Sequence, residues 1–127
     1  MTGPAQMRLP AAMWSPRIAR RFVAARLTEQ LSPGDHEIVA SAALVTSELV
    51  TNAVLHAHSG VRVSVACEAD RVVVEVADRG SGGLTASSPP PGAESGRGLQ
   101  LVQRLSSAWG VDIRDGERAV WCAFQRS

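Results

Sequence analysis

Apolar residues recur along this chain at two spacings, and the switches between them divide it into elements. After Ser15-Pro16, the residues Ile18, Phe22, Val23, Ala25 and Leu27 fall at near-helical spacing. With Ser as N-cap and Pro at the first helical position, this predicts an amphipathic helix. Ser32-Pro33 repeats the signal, and the run from about Asp35 to Ala57 is rich in Ala, Leu and Val and free of Gly and Pro, which predicts a second, longer helix. Past Ser59-Gly60 the period falls to two. Val61, Val63, Val65 and Cys67 share one face while Arg62, Ser64 and Glu68 take the other. Ala69-Asp70 supplies a turn, and Val72, Val74, Val76 and Asp78 form the matching face of a second strand, giving an antiparallel hairpin with Asp78 at the end of an apolar row. Gln6 to Leu9 is a candidate edge strand that Pro10 would end.

From Gly80 to Gly96 the chain is dominated by Gly, Ser and Pro and has no periodicity that could bury it, so a loop is expected, with a lid over a ligand at 83–95. Leu99, Val102 and Leu105 then mark a short helix. Strand-like runs Val111 to Arg114 and Ala119 to Gln125 flank the turn Asp115-Gly116. This order favours an antiparallel or mixed sheet with helices packed on one face.

Length adds that residues 1–127 make a single domain. The formal charge is +1 and both signs are interspersed, which excludes an electrostatic footprint for nucleic acid. The apolar runs Val61 to Cys67 and Val72 to Ala77 are too short to cross a bilayer, and Met1 to Met13 makes a poor signal peptide, so a soluble, cytoplasmic protein with no membrane contact is expected. Cys67 and Cys122 sit within alternating runs, which favours buried thiols over a disulfide or metal pair. His56 and His58 do not face each other on a helix and lack a third ligand, so zinc is not expected. Trp109 and Trp121 are expected as packing anchors.

The candidate chemistry begins with Glu48 and Asn52, which project from one side of the long helix one turn apart, among apolar neighbours. Alone, such a pair is equally a solvated stripe or the partner of an arginine. Asp78 closes its strand before Arg79-Gly80-Ser81-Gly82-Gly83, where the backbone can turn sharply and approach a ligand. Gly96-Arg97-Gly98 directly precedes a helix, where free N–H groups favour phosphate. Neither glycine pair fits a Walker A loop, the element order does not fit a dinucleotide-binding βαβ unit, and no Gly-x-Ser-x-Gly elbow is present.

Taken in order, the segments Glu48 to Ala57, Asp78 to Gly82 and Glu94 to Val102 resemble the N, G1 and G2 boxes of GHKL ATPases, most closely those of bacterial anti-sigma factor serine/threonine kinases. The resemblance extends to Trp109-Gly110 and Val120-Trp121. It implies an α+β fold, a two-layer sandwich in which a mixed, largely antiparallel sheet carries three helices on one face (the Bergerat ATP-binding fold). It also implies ATP and Mg²⁺ as cofactors. Asn52 would then coordinate the metal, Glu48 would be the catalytic base, and Asp78 would accept the adenine amino proton. Gly80 and Gly82 would admit the purine, while Gly96, Arg97, Gly98 and Leu99 would surround the phosphates.

By the same resemblance the partners would be an anti-sigma factor antagonist, as phosphoryl acceptor, and a sigma factor, and formation of a homodimer stays open. The alternative is a partner-switch module that holds nucleotide without turnover. One departure favours it: relatives commonly place Thr or Ser near the start of the last strand, beside the adenine-reading Asp, and the corresponding residue here is Ala119 unless the alignment slips by one.

Overall fold

The computed structural model describes residues 3–56, 60–79 and 97–127, with the backbone alone at 97–99. Five strands, β1 (Ala5–Leu9), β2 (Val61–Cys67), β3 (Arg71–Asp78), β4 (Ala108–Arg114) and β5 (Glu117–Gln125), form one sheet in the order β1-β2-β3-β5-β4. Every pairing among the described residues is antiparallel, in keeping with the expected largely antiparallel sheet and with no parallel pair among them. Helices α1 (Ser15–Gln30), α2 (His36–His56) and α3 (Arg97–Leu105) pack on one face.

Strand alternation sorts the side chains. Met7, Val63, Val76, Val120 and Val111 line up across the strands as one row, and Ala5, Val65, Val74, Cys122 and Trp109 as the next, all facing the helices. The central members of these rows, Val63, Val65, Val74, Val76, Val120 and Cys122, are almost wholly removed from water, the edge members are partly buried, and each buried valine contributes roughly 1.5–3 kcal/mol. Burial in the same layer pushes the Cys122 thiol up to about 12, so it is inert at neutral pH, and neither cysteine forms a disulfide. The opposite face is clamped by charge: Arg62 reaches Glu75 at 3.0 Å and Glu117 at 3.1 Å, and Arg114 reaches Glu75 at 3.0 Å.

Helix α1 buries Ser15, Ala19, Val23 and Leu27, one residue per turn, against α2 and the β1–β2 edge. Ser15 does not cap this helix, contrary to the sequence pattern. Trp14 holds the cap position, and the Ser15 hydroxyl donates to the Pro10 carbonyl at 2.6 Å, pinning the turn from β1. Helix α2 is buried on several sides, by α1, by α3 and by the sheet. Its segment Pro33–His56 is in fact long and apolar enough to cross a bilayer by length and composition alone, a stretch that the reading of the strand runs passed over. Its central position, with half of that window buried, accounts for the apolar composition.

Before α2, the 3₁₀ turn Pro33–Asp35 is tied to the end of β5. The Ser127 amide donates to Asp35 at 2.9 Å, and the Arg126 guanidinium lies 3.7 Å from the same carboxylate. The backbone hydrogen bond from Ser127, with that from its side chain and the charge of Arg126, holds the Asp35 carboxyl below its ordinary value despite burial. A depressed carboxyl stabilises the fold above the unfolded aspartate pKa of about 3.9, and that contribution disappears as pH falls through the folded value. Asp35→Asn is therefore expected to melt earlier than the wild type at pH 7, with the gap narrowing as pH drops below about 4. A gap independent of pH would contradict the assignment.

Candidate functional site

The row at one end of the sheet differs from those behind it. Leu9, Val61, Asp78, Arg118 and Ile113 stand in register across the five strands, so two charged side chains complete an otherwise apolar face. Both are buried, Asp78 at 4% and Arg118 at 8% relative exposure. Helix α2 ends at His56, and the chain re-enters the sheet at Val61, the neighbour of Asp78, so the C-terminal turns of α2 come to the charged end. Gly60 makes this entry feasible, because a Cβ there would sit 2.8 Å from the Leu9 carbonyl oxygen.

Asn52 lies on those last turns and is 7% exposed. Its Nδ2 finds no hydrogen-bond partner among the described residues. An unspent donor in the interior costs about 1–3 kcal/mol, a cost a protein keeps where a ligand supplies the acceptor. Thr46, also buried on α2, differs: its hydroxyl is satisfied by the Ala42 carbonyl at 2.7 Å.

Glu48, one turn before Asn52, is half-buried and lines a cleft of about 240 Å³ with Leu44, Gln100, Leu101 and Arg104. Earlier on α2, Glu37, Ile38 and Ser41 border a second cleft with Leu105, Ser106 and Ser107. Residue numbers thus rise along α2 as they fall along α3, and the two helices run antiparallel. Helix α3 starts at Arg97, where the first-turn N–H groups of Arg97, Gly98 and Leu99 have no intrahelical acceptor. The side chains at 97–99 lie outside the described residues, as do Gly80, Gly82, Gly96 and the expected lid at 83–95.

Among the described residues no three His, Cys, Asp or Glu side chains gather to hold a metal ion. The Asn52 amide oxygen is a hard donor of the kind that suits Mg²⁺.

The register also corrects the reading of Ala119. Ala119 pairs with Ala77 on the face away from the helices, and the residue opposite Asp78 is Arg118. The departure therefore lies at Arg118, one residue earlier, and a hydroxyl is absent at either position. Arg118 itself escaped the sequence reading, although it shares the alternate positions of Val120, Cys122 and Phe124.

The structural likenesses agree with this geometry. The solved structure of the RsbU and RsbW domains of Rv1364c from Mycobacterium tuberculosis superposes with a TM-score of 0.74 at 24% sequence identity, over 99% of this chain. The chain spans only 34% of that protein chain's length. No curated protein sequence matches. The family model described as the histidine kinase-like ATPase domain matches residues 9–124. With nearly its whole length matched and its α+β architecture in agreement, the chain belongs to the histidine kinase-like ATPase family, the GHKL ATPases.

Proposed function

We propose that this domain binds Mg-ATP at the charged end of the sheet and transfers the γ-phosphoryl group to a serine or threonine of a protein partner, as an anti-sigma factor kinase does to its antagonist. One observation carries the reading: Asn52 on the last turns of α2 and Asp78 at the end of β3 are both buried polar side chains at the charged end of the sheet. Family membership supports nucleotide binding, and the fold likeness to a chain carrying an RsbW domain is in keeping with it.

In this reading Asp78 accepts a hydrogen bond from the adenine amino group. The first-turn amides of α3 at Arg97, Gly98 and Leu99, with Gly96, hold the phosphates, and Gly80 and Gly82 admit the purine. Asn52 offers its amide oxygen to Mg²⁺, which when bound neutralises phosphate charge. Glu48 takes the proton of the attacking hydroxyl as its oxygen bonds to the γ-phosphorus, and ADP departs with the electrons of the broken P–O bond. Positioning and charge stabilisation supply most of the rate, so a rigid α2 carrying both Glu48 and Asn52 suits the task.

The rival reading, a nucleotide-holding switch without turnover, keeps the feature that favoured it, because Arg118, which faces Asp78, supplies no hydroxyl either. Incubation with γ-labelled ATP, Mg²⁺ and antagonist proteins from the same source separates the two. Label on a partner serine or threonine is expected. Nucleotide-dependent association with no label would replace the kinase by the switch module.

A further inference from the structure

The row Leu9, Val61, Asp78, Arg118 and Ile113 places a guanidinium beside the carboxylate assigned to the purine, a juxtaposition outside the roles given so far. Directly opposed residues on antiparallel strands hold their Cβ atoms about 4.5–5.5 Å apart, so Arg118 and Asp78 share one small volume. Arg118 is 8% exposed, and its Nε has no hydrogen-bond partner among the described residues. Salt bridges occupy Arg62, Arg71, Arg114 and Arg126 on other parts of the sheet, each with a carboxylate within 4.0 Å. A buried guanidinium with a donor unspent is costly, more so than a neutral group, and a bound acceptor would offset that cost.

We propose that Arg118 is a specificity-determining residue of the nucleotide site, donating to the adenine ring nitrogen N1 while Asp78 accepts from the N6 amino group. The proposal rests on the nucleotide-binding reading above. The physical basis is complementarity of an ordered pair. Adenine presents a donor and then an acceptor on its Watson–Crick edge, and an acceptor beside a donor, held at a fixed place by two strands, matches that order. Guanine presents the reverse order, with O6 facing Asp78 and N1–H facing Arg118. It is therefore opposed twice, where a site with the aspartate alone would oppose it once. A hydroxyl at this position could orient the aspartate but would carry no charge. The arginine adds a planar, always-charged donor.

The test measures binding, by titration calorimetry, of ATP, GTP and 1-deaza-ATP (in which N1 is a CH) to the wild type, Arg118→Met and Arg118→Lys, with melting curves to confirm folding. The wild type is expected to prefer ATP over 1-deaza-ATP by roughly ten- to a hundredfold, the range for hydrogen bonds to a charged donor. In Arg118→Met that preference should vanish and discrimination against GTP should shrink by a similar factor. Arg118→Lys, which keeps the charge without the planar fork, should fall between them and serves alone if the Met variant does not fold.

An unchanged 1-deaza penalty in a folded variant would overturn the role of Arg118 while leaving the nucleotide site standing. ATP affinity rising in Arg118→Met would also overturn it, by showing that the arginine fills the purine pocket. A folded wild type that binds none of the three nucleotides would remove the underlying site and the proposal together.

Discussion

Glu48→Ala is expected to keep its grip on nucleotide and to lose phosphoryl transfer by ~10²–10⁴, the usual contribution of a positioned general base. Binding and chemistry separate because they rest on different groups. In the proposed reading Asp78 and the amides at the start of α3 would hold the ligand in its ground state, whereas a base acts as the hydroxyl proton leaves. Glu48 suits the second role by position: it is half-buried, lines the α2–α3 cleft and precedes Asn52 by one turn on the same rigid helix. The residual rate should stay above background, since phosphoryl transfer depends mostly on alignment and charge stabilisation. Single-turnover transfer to an accepted partner, run beside ATP affinity and melting temperature, checks this. A wild-type rate in the variant would end the catalytic assignment, and a joint fall in stability and affinity would make Glu48 a structural residue.

Local pattern disclosed much of this fold, and the reasons are specific. The apolar run that became α2, the alternation of β2 and β3, and Asp115-Gly116 are all encoded within a few residues of sequence. The last adopts positive φ at both positions, 52° and 77°, as a two-residue hairpin turn demands. Features that depend on distant partners were less legible. Strand β4 begins at Ala108, three residues before its apolar run suggests, because Gly110 leaves room for the Trp121 indole on β5, whose Nε1 a Cβ at Gly110 would approach to 2.7 Å. Ser15 reads as a cap, but its hydroxyl is used by Pro10, a partner set by the path of the chain out of β1.

The candidate site divides in the same way. Glu48, Asn52 and Asp78 were visible as polar residues at defined places in apolar runs. The identity of the residue beside Asp78 was not. It depends on the pairing of β3 with β5, two strands separated in sequence by α3 and β4, and a shift of one residue in that register moves a side chain to the other face. Ala119 and Arg118 differ by that single step.

The second large effect concerns Asp78, on which the account of the site turns. Asp78→Asn replaces one acceptor oxygen by an NH₂ group that meets the adenine amino donor head-on, and the buried position allows little water to relieve the conflict. The expected loss of ATP affinity is roughly ten- to several hundredfold. The fold should survive, since the substitution keeps the volume of the side chain at the end of a strand already paired on both sides. Titration calorimetry of Mg-ATP into the wild type and Asp78→Asn therefore tests the central claim most directly. Saturable binding to the wild type, weakened by that factor in the folded variant, is the result the account predicts. Equal affinity in the two would remove Asp78 from the site, and no binding to the folded wild type at millimolar Mg-ATP would contradict the nucleotide-binding account altogether.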